Sequence, residues 1–174
     1  RGPLETAEST GRAHSPLTDG VLALTLSLRA RGEHALGEPD HARSLTADAL
    51  TLIGDARTWP AASTRHNAAC IALDDGDLDA AERLTHEALA NAAGADGKQA
   101  SFVEALPVLD TLAVITDDPT RGARLIGAVD ALMQHAGYVR EAYAQRRYDG
   151  AAKRLRDELG ADAFDAAVEE GPRL

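Results

Sequence analysis

Two stretches decide how this chain is read: GEPDHARSLTADAL at residues 37–50 and GDLDAAERLTHEAL at 76–89. Set against each other at an offset of 39, they agree at seven of fourteen positions. The shared pairs are Gly37/Gly76, Asp40/Asp79, Ala42/Ala81, Leu45/Leu84, Thr46/Thr85, Ala49/Ala88 and Leu50/Leu89. A weaker third copy, DDPTRGARLIGAV at 117–129, follows after 41 more residues and sets Arg124 and Leu125 where Arg83 and Leu84 stand. In the second copy Leu78, Ala81, Leu84, Ala88, Leu89 and Ala92 recur at helical spacing and make one apolar stripe. The Gly-Asp or Asp-Asp ahead of the stripe supplies a turn and an N-cap, where an acidic group meets the positive end of the helix.

Each of these helices is preceded by another. Residues Pro60 to Leu73 begin well, with Pro60 suited to the first helical position and Trp59 placed to pack back as a staple. Gln99 to Thr116 carries Phe102, Leu106, Leu109 and Ala113 on one stripe; Pro107 either kinks this helix or moves its start to Leu106. The first apolar run, Val21, Leu22, Leu24, Leu26 and Leu28, starts a helix at Leu17 that ends between Arg29 and Gly32. VLALTLSL also alternates as a strand would, but its length and the lack of strand-like neighbours favour helix. The pattern is helix–turn–helix, three times. One such pair cannot bury its apolar face alone, so neighbours must stack, and the second phrase is the same packing surface used again. The tail differs: a long helix over Tyr138–Leu159 with Tyr148, Ala152, Leu155 and Leu159 on one face, a stop at Gly160, and a short helix Ala161–Glu170 presenting Phe164, Ala167 and Val168. The expected fold is therefore all-α, a tetratricopeptide-like right-handed α-α superhelix of about three helical hairpins closed by a C-terminal capping helix pair. A polar, flexible lead-in occupies residues 1–16 and a single helical-repeat domain residues 17–174.

Composition agrees. The chain holds 36 Ala and 22 Leu against 11 Val and Ile together, and only 3% aromatics, a palette for helices and a poor one for filling a barrel or sandwich. A net charge of −10 repels phosphate backbones, so no direct nucleic-acid contact is expected. One cysteine, Cys70, permits no internal disulfide and fits a cytoplasmic setting. No apolar run approaches the ~18 residues of a membrane span, and RGPLETAESTGRAHS lacks the apolar centre of a signal peptide. A chain that begins with Arg is expected to be a fragment or a processed product.

The tail carries a resemblance. ARLIGAVDALMQHAG (123–137), then YDGAAKRLRDELGADAFDAAVEEG (148–171), resembles the C-terminal helical-repeat region of large bacterial, especially actinobacterial, LuxR-type and AfsR-like transcriptional regulators with signal-transduction ATPase cores. The features that carry it are Ala-Arg-Leu-Ile-Gly-Ala at 123–128, Tyr148, Leu155, Leu159-Gly160, Phe164 and Glu170-Gly171. The resemblance implies an interaction or sensing region, not catalysis. The phosphate loop such ATPases require, ending Gly-Lys-Ser/Thr, does not occur here.

No catalytic constellation, cofactor motif or metal motif stands out. The six histidines show no His-Glu-x-x-His, and DDGDLD (74–79) has its glycine at the third position where a calcium loop needs the sixth. Cys70, among Ala68, Ala69, Ala72 and Leu73, is expected to be a packed small residue. The candidate ligand or partner site is Arg65, His66 and Asn67, three polar residues in an Ala-rich leading helix. His66 shares a face with Ala62, Ala69 and Leu73 and serves either as a core residue or as a ligand-facing one. The geometry of stacked pairs sets leading helices on the concave side, where Arg65 and Asn67 could face a groove. A second candidate is a docking face on the tail helix, Arg146, Arg147, Lys153 and Arg154, within a segment of net charge +2 over 138–159; the plainer alternative is a solvated helix side. The expected function is a noncatalytic protein-interaction or effector-sensing module of a cytoplasmic regulator. Its partner would be a peptide, a neighbouring regulator domain, a small effector or a second copy. The rival is a stand-alone small-molecule-binding or enzymatic helical protein, which an enclosed pocket with converging polar groups would favour.

Overall fold

The structure, a computed structural model, describes residues 16–93 and 102–173. They form eight α-helices in four consecutive pairs and a closing 3-10 turn. The pairs are α1 (Pro16–Ala35) with α2 (Pro39–Ile53), α3 (Trp59–Asp74) with α4 (Leu78–Ala92), α5 (Phe102–Ile115) with α6 (Pro119–Ala136), and α7 (Ala142–Leu159) with α8 (Ala161–Glu170). The described residues contain no strand, so the alternation in VLALTLSL is overruled by helix, which runs on past Gly32 to Ala35. The expected lead-in lies, but for Pro16, outside the described residues.

Pairs meet stepwise: α1 packs on α2 and α3, α3 on α4 and α5, and α5 on α6 and α7. The core is correspondingly divided into small clusters that bridge successive pairs. Ala30 of α1 meets Leu45 of α2 and Ile71 of α3, while Ala68 and Ala69 of α3 meet Leu84 of α4. No one centre gathers all the helices, which is what repetition of a packing face requires.

Most of the repeated residues have matching duties. Ala42, Leu45, Ala49 and Ile53 are buried along α2, and Ala81, Leu84, Ala88 and Ala92 along α4. Leu78 is the exception on that stripe, 55% exposed at the helix start. The Thr46 and Thr85 hydroxyls both donate to the carbonyl four residues back, on Ala42 and Ala81. Gly37 (φ +85°) and Gly76 (φ +78°) each close the preceding helix in the left-handed region that side chains resist. Around them the Glu38 and Asp77 amides reach back to Glu33 and Ala72, and the Gly37 and Gly76 amides to His34 and Leu73, the same double-bonded exit in both copies. Asp77 and Asp118 cap α4 and α6, their Oδ1 atoms accepting from the Ala80 and Arg121 amides at 3.0 Å. The Glu38 side chain makes no such bond at α2.

Two boundaries differ from expectation, and at Pro107 one of the two alternatives is excluded. Trp59 is itself the first residue of α3 and is 49% exposed, so it is no staple. Pro107 lies inside α5, which neither restarts nor ends there; Leu106 and Ala113 are buried and Leu109 half-buried, while the Phe102 side chain lies outside the described part. The tail helix begins at Ala142, not Tyr138, because Gly137 (φ +64°) ends α6 and a link, 138–141, intervenes. The capping pair is built as its sequence suggests: Leu155, Phe164 and Ala167 join Ala113, Ala123 and Ile126, with Tyr148, Ala152, Leu159 and Val168 against them. No helix among the described residues is long and apolar enough to cross a membrane.

Candidate functional site

Helix α3 is buried on nearly every side, because α1, α2, α4 and α5 all pack on it. Its alanines let those neighbours come close. Consecutive helical residues diverge by about 100°, so Arg65, His66 and Asn67, all at most 9% exposed, do not all face one way: His66 and Asn67 reach one cavity and Arg65 does not.

Arg65 does not line that cavity. Its guanidinium donates to the Gly54 and Ala56 carbonyls of the α2–α3 loop and, from Nε at 3.2 Å, to Glu87 of α4. It is a clamp between pairs. Arg65→Ala is expected to cost about 2 kcal/mol in urea unfolding, as charged hydrogen bonds are lost, and to leave small-molecule binding unchanged.

His66 and Asn67 line a cavity of about 230 Å³. Each leading helix gives it one stripe at helical spacing: Leu24, Leu28 and Arg31 from α1; Ser63, His66, Asn67, Cys70 and Leu73 from α3; Pro107, Asp110, Thr111 and Val114 from α5; Tyr143, Ala144 and Arg147 from α7. Met133 and the 138–141 link complete the wall.

Hydrogen bonding fixes the orientation of the polar groups. The Ser27 hydroxyl donates to the Leu24 carbonyl, so its oxygen accepts from Asn67 Nδ2 at 3.0 Å. Asn67 Oδ1 is thereby turned toward Arg31, whose Nη1 donates to it at 3.0 Å, and the guanidinium lies 4.0 Å over the Tyr143 ring. The Thr111 hydroxyl donates to the Pro107 carbonyl, so it accepts from His66 Nε2 at 3.0 Å and assigns the imidazole proton to that nitrogen. Cys70 Sγ stands 3.6 Å from the same nitrogen. Burial raises the Cys70 thiol, but His66, Arg147 and Arg31 together outweigh it and bring the group down to about 6. Cys70 is therefore packed, at 1% exposed, and chemically primed as well. It is the chain's only cysteine, so mass gain with iodoacetamide reports it alone. Alkylation is expected to rise with a midpoint near pH 6, and His66→Leu to move that midpoint upward. Because the folded value lies below the ordinary one, this group adds stability as pH rises from about 6 to 9.

Two more guanidiniums face the cavity, each with carboxylate partners. Arg140 bonds Asp110 at 2.8 Å and Asp130 at 2.6 Å and lies 3.8 Å over the Tyr148 ring. Arg147 grips both oxygens of Asp74 and donates to the Cys70 carbonyl. The four cations of the candidate docking face thus do not form one free surface. Arg147 turns inward, Lys153 pairs with Asp157, and Arg154 pairs with Glu158 and reaches the Val114 carbonyl. Arg146 is exposed beside a second, shallower depression between α1 and α7. Among the described residues no three His, Cys, Asp or Glu side chains gather as metal ligands.

Arg31, Cys70, Tyr143 and Thr111 are site residues that the sequence reading missed. Cys70 was within reach, since Ser63, His66, Asn67 and Cys70 share one helical face. Arg31 and Tyr143 join it only through contacts between distant segments. Compared with known proteins, the chain matches no family model, no curated protein and no solved structure.

Proposed function

We propose that this chain is a noncatalytic effector-sensing module of a cytoplasmic transcriptional or signalling regulator, of the kind its tail resembles. The cavity carries the small-molecule half of this reading, which a stand-alone binding protein would share; the regulator half rests on the resemblance of the tail. The cavity is a recess of small-molecule size in which an apolar bed of Leu24, Leu28, Val114 and Met133 meets a dense set of oriented polar and charged groups. All four leading helices contribute to it, so an occupant touches every pair at once. This favours a small effector over a peptide or neighbouring domain, which an open groove would suit. Binding would act on a neighbouring module only through unequal affinity for two arrangements of the pairs.

A screen of small organic compounds by thermal shift tests it. A ligand present at a hundred times its Kd adds about 2.7 kcal/mol, a rise in Tm of several degrees. Ser63→Trp, which fills the cavity from its wall, is expected to fold with the same helicity and to show no such rise. Equal responses from the two proteins would place the ligand elsewhere. The enzymatic alternative draws on Cys70, a thiol whose pKa is lowered beside His66, Arg147 and Arg31 and which could serve as a nucleophile. It predicts turnover of p-nitrophenyl acetate that Cys70→Ala abolishes; the sensing reading predicts no turnover.

A further inference from the structure

We infer that the effector held in this cavity is a small organic carboxylate, anchored by Arg31; the inference rests on the cavity reading above and names the ligand's class. Three guanidiniums line the recess. Arg140 is neutralised by Asp110 and Asp130, and Arg147 by Asp74. Arg31 has no carboxylate within 4.0 Å among the described residues. One of its N–H groups is bonded to Asn67, its face is covered by Tyr143, and the Tyr143 hydroxyl also draws on the guanidinium; neither neighbour brings a carboxylate to neutralise it. Asn67 is itself held by Ser27, so the guanidinium is presented at a fixed angle before any ligand arrives. A planar fork, already oriented and not neutralised, matches a carboxylate and spares the ordering cost of binding.

The rest of the wall sets the ligand's body. Leu24, Leu28, Val114, Met133 and Tyr138 offer it an apolar bed. A 150 Å³ apolar cavity accommodates benzene, so this one suits roughly nine to twelve non-hydrogen atoms. The charged and titratable groups facing the recess are Arg31 of α1, His66 and Cys70 of α3, Asp110 of α5, Tyr138, Arg140 and Glu141 of the link, and Arg147 and Tyr143 of α7. Of these, Cys70 is the group whose charge the ligand opposes most directly, since both draw on Arg31. A carboxylate there must raise the thiol's pKa, and by reciprocity must bind more tightly once the thiol is protonated.

The pair 3-phenylpropionate and 3-phenylpropanamide, alike in shape and different in charge, tests this by calorimetry at pH 6. The acid is expected to bind at least tenfold more tightly than the amide. Arg31→Gln, which keeps a donor toward Asn67, should erase the difference and leave the amide's affinity in place; Arg31→Lys should retain part of it. Circular dichroism checks that both variants fold. The acid, and not the amide, should move the Cys70 alkylation midpoint upward. Equal affinities in the native chain, or an acid preference that survives Arg31→Gln, overturn the carboxylate assignment while binding itself upholds the cavity. Failure of both compounds to bind overturns the cavity reading and this inference together.

Discussion

Gly127→Ala is expected to detach the last helix from the rest of the chain. The residue lies in the middle of α6, where α8 crosses so closely that an added Cβ would overlap the Val168 carbonyl, a backbone group with nowhere to turn. Gly171 is the reciprocal contact: a Cβ there would strike the backbone of Arg124 and Ala128. Between them α6 and the end of α8 touch main chain to main chain, flanked by the Arg124–Glu170 ion pair at 2.7 Å. One methyl group cannot be admitted without lifting α8, and with it Phe164 and Ala167 from the tail core. The loss should be on the order of 3 kcal/mol, at the upper end for overpacking. Urea unfolding measures it, and limited proteolysis should release a C-terminal fragment early. Gly150→Ala in α7 is the control, because nothing lies within 4 Å of its added Cβ. That change should stabilise by about 0.5–1 kcal/mol through helix propensity. Two glycine-to-alanine changes of the same sign would remove the close-approach argument.

Arg140→Met should cost about 3–5 kcal/mol at pH 7, the usual result of taking one partner from a buried ion pair. The Asp110 side chain is only 7% exposed and Arg140's only 10%. Without the guanidinium, Asp110 keeps its charge with no cation bonded to it, and the Tyr148 ring, whose hydroxyl donates to Asp130, loses its cover. The penalty should depend on pH. Burial already pushes the Asp110 carboxyl above its ordinary range against the pull of Arg140. A raised folded-state value means that folding is relieved as pH falls through it. The variant should therefore regain part of its lost stability between pH 7 and pH 5, and Asp110→Asn added to it should give much of the same recovery at pH 7. A loss that is constant with pH and indifferent to Asp110→Asn would show that the ion pair is not its source.

The fold was legible because its signals are local. The repeated phrase encodes an exit glycine, an inward stripe and a threonine bonded to its own helix, all decided within fifteen residues. The motif quoted for the tail, Ala-Arg-Leu-Ile-Gly-Ala, has a local spelling and a distant cause: its glycine is small because α8 lies on it. The break at Gly137 could also have been read, since a glycine behind His135 is an ordinary helix exit. The site was legible only in part. Polar residues in a leading helix did point to a helix that lines the cavity, but not every neighbour in sequence faces it, and Arg65 went to the loop instead. The inward turn of Arg147 depends on Asp74, 73 residues away, and no periodicity reports such a pairing.

The backbone of α7 approaches α5, α6 and α8 but, among the described residues, neither α1 nor α3. Among the described residues that gap is crossed by the Arg147–Asp74 clasp, the bond from Arg147 to the Cys70 carbonyl and the stack of Arg31 on Tyr143. The clasp is half-buried, with the Arg147 side chain 19% exposed and the Asp74 side chain 40%. The α7 wall of the cavity is therefore joined to α1 and α3 by side chains, while its opposite face is packed backbone to backbone into the tail.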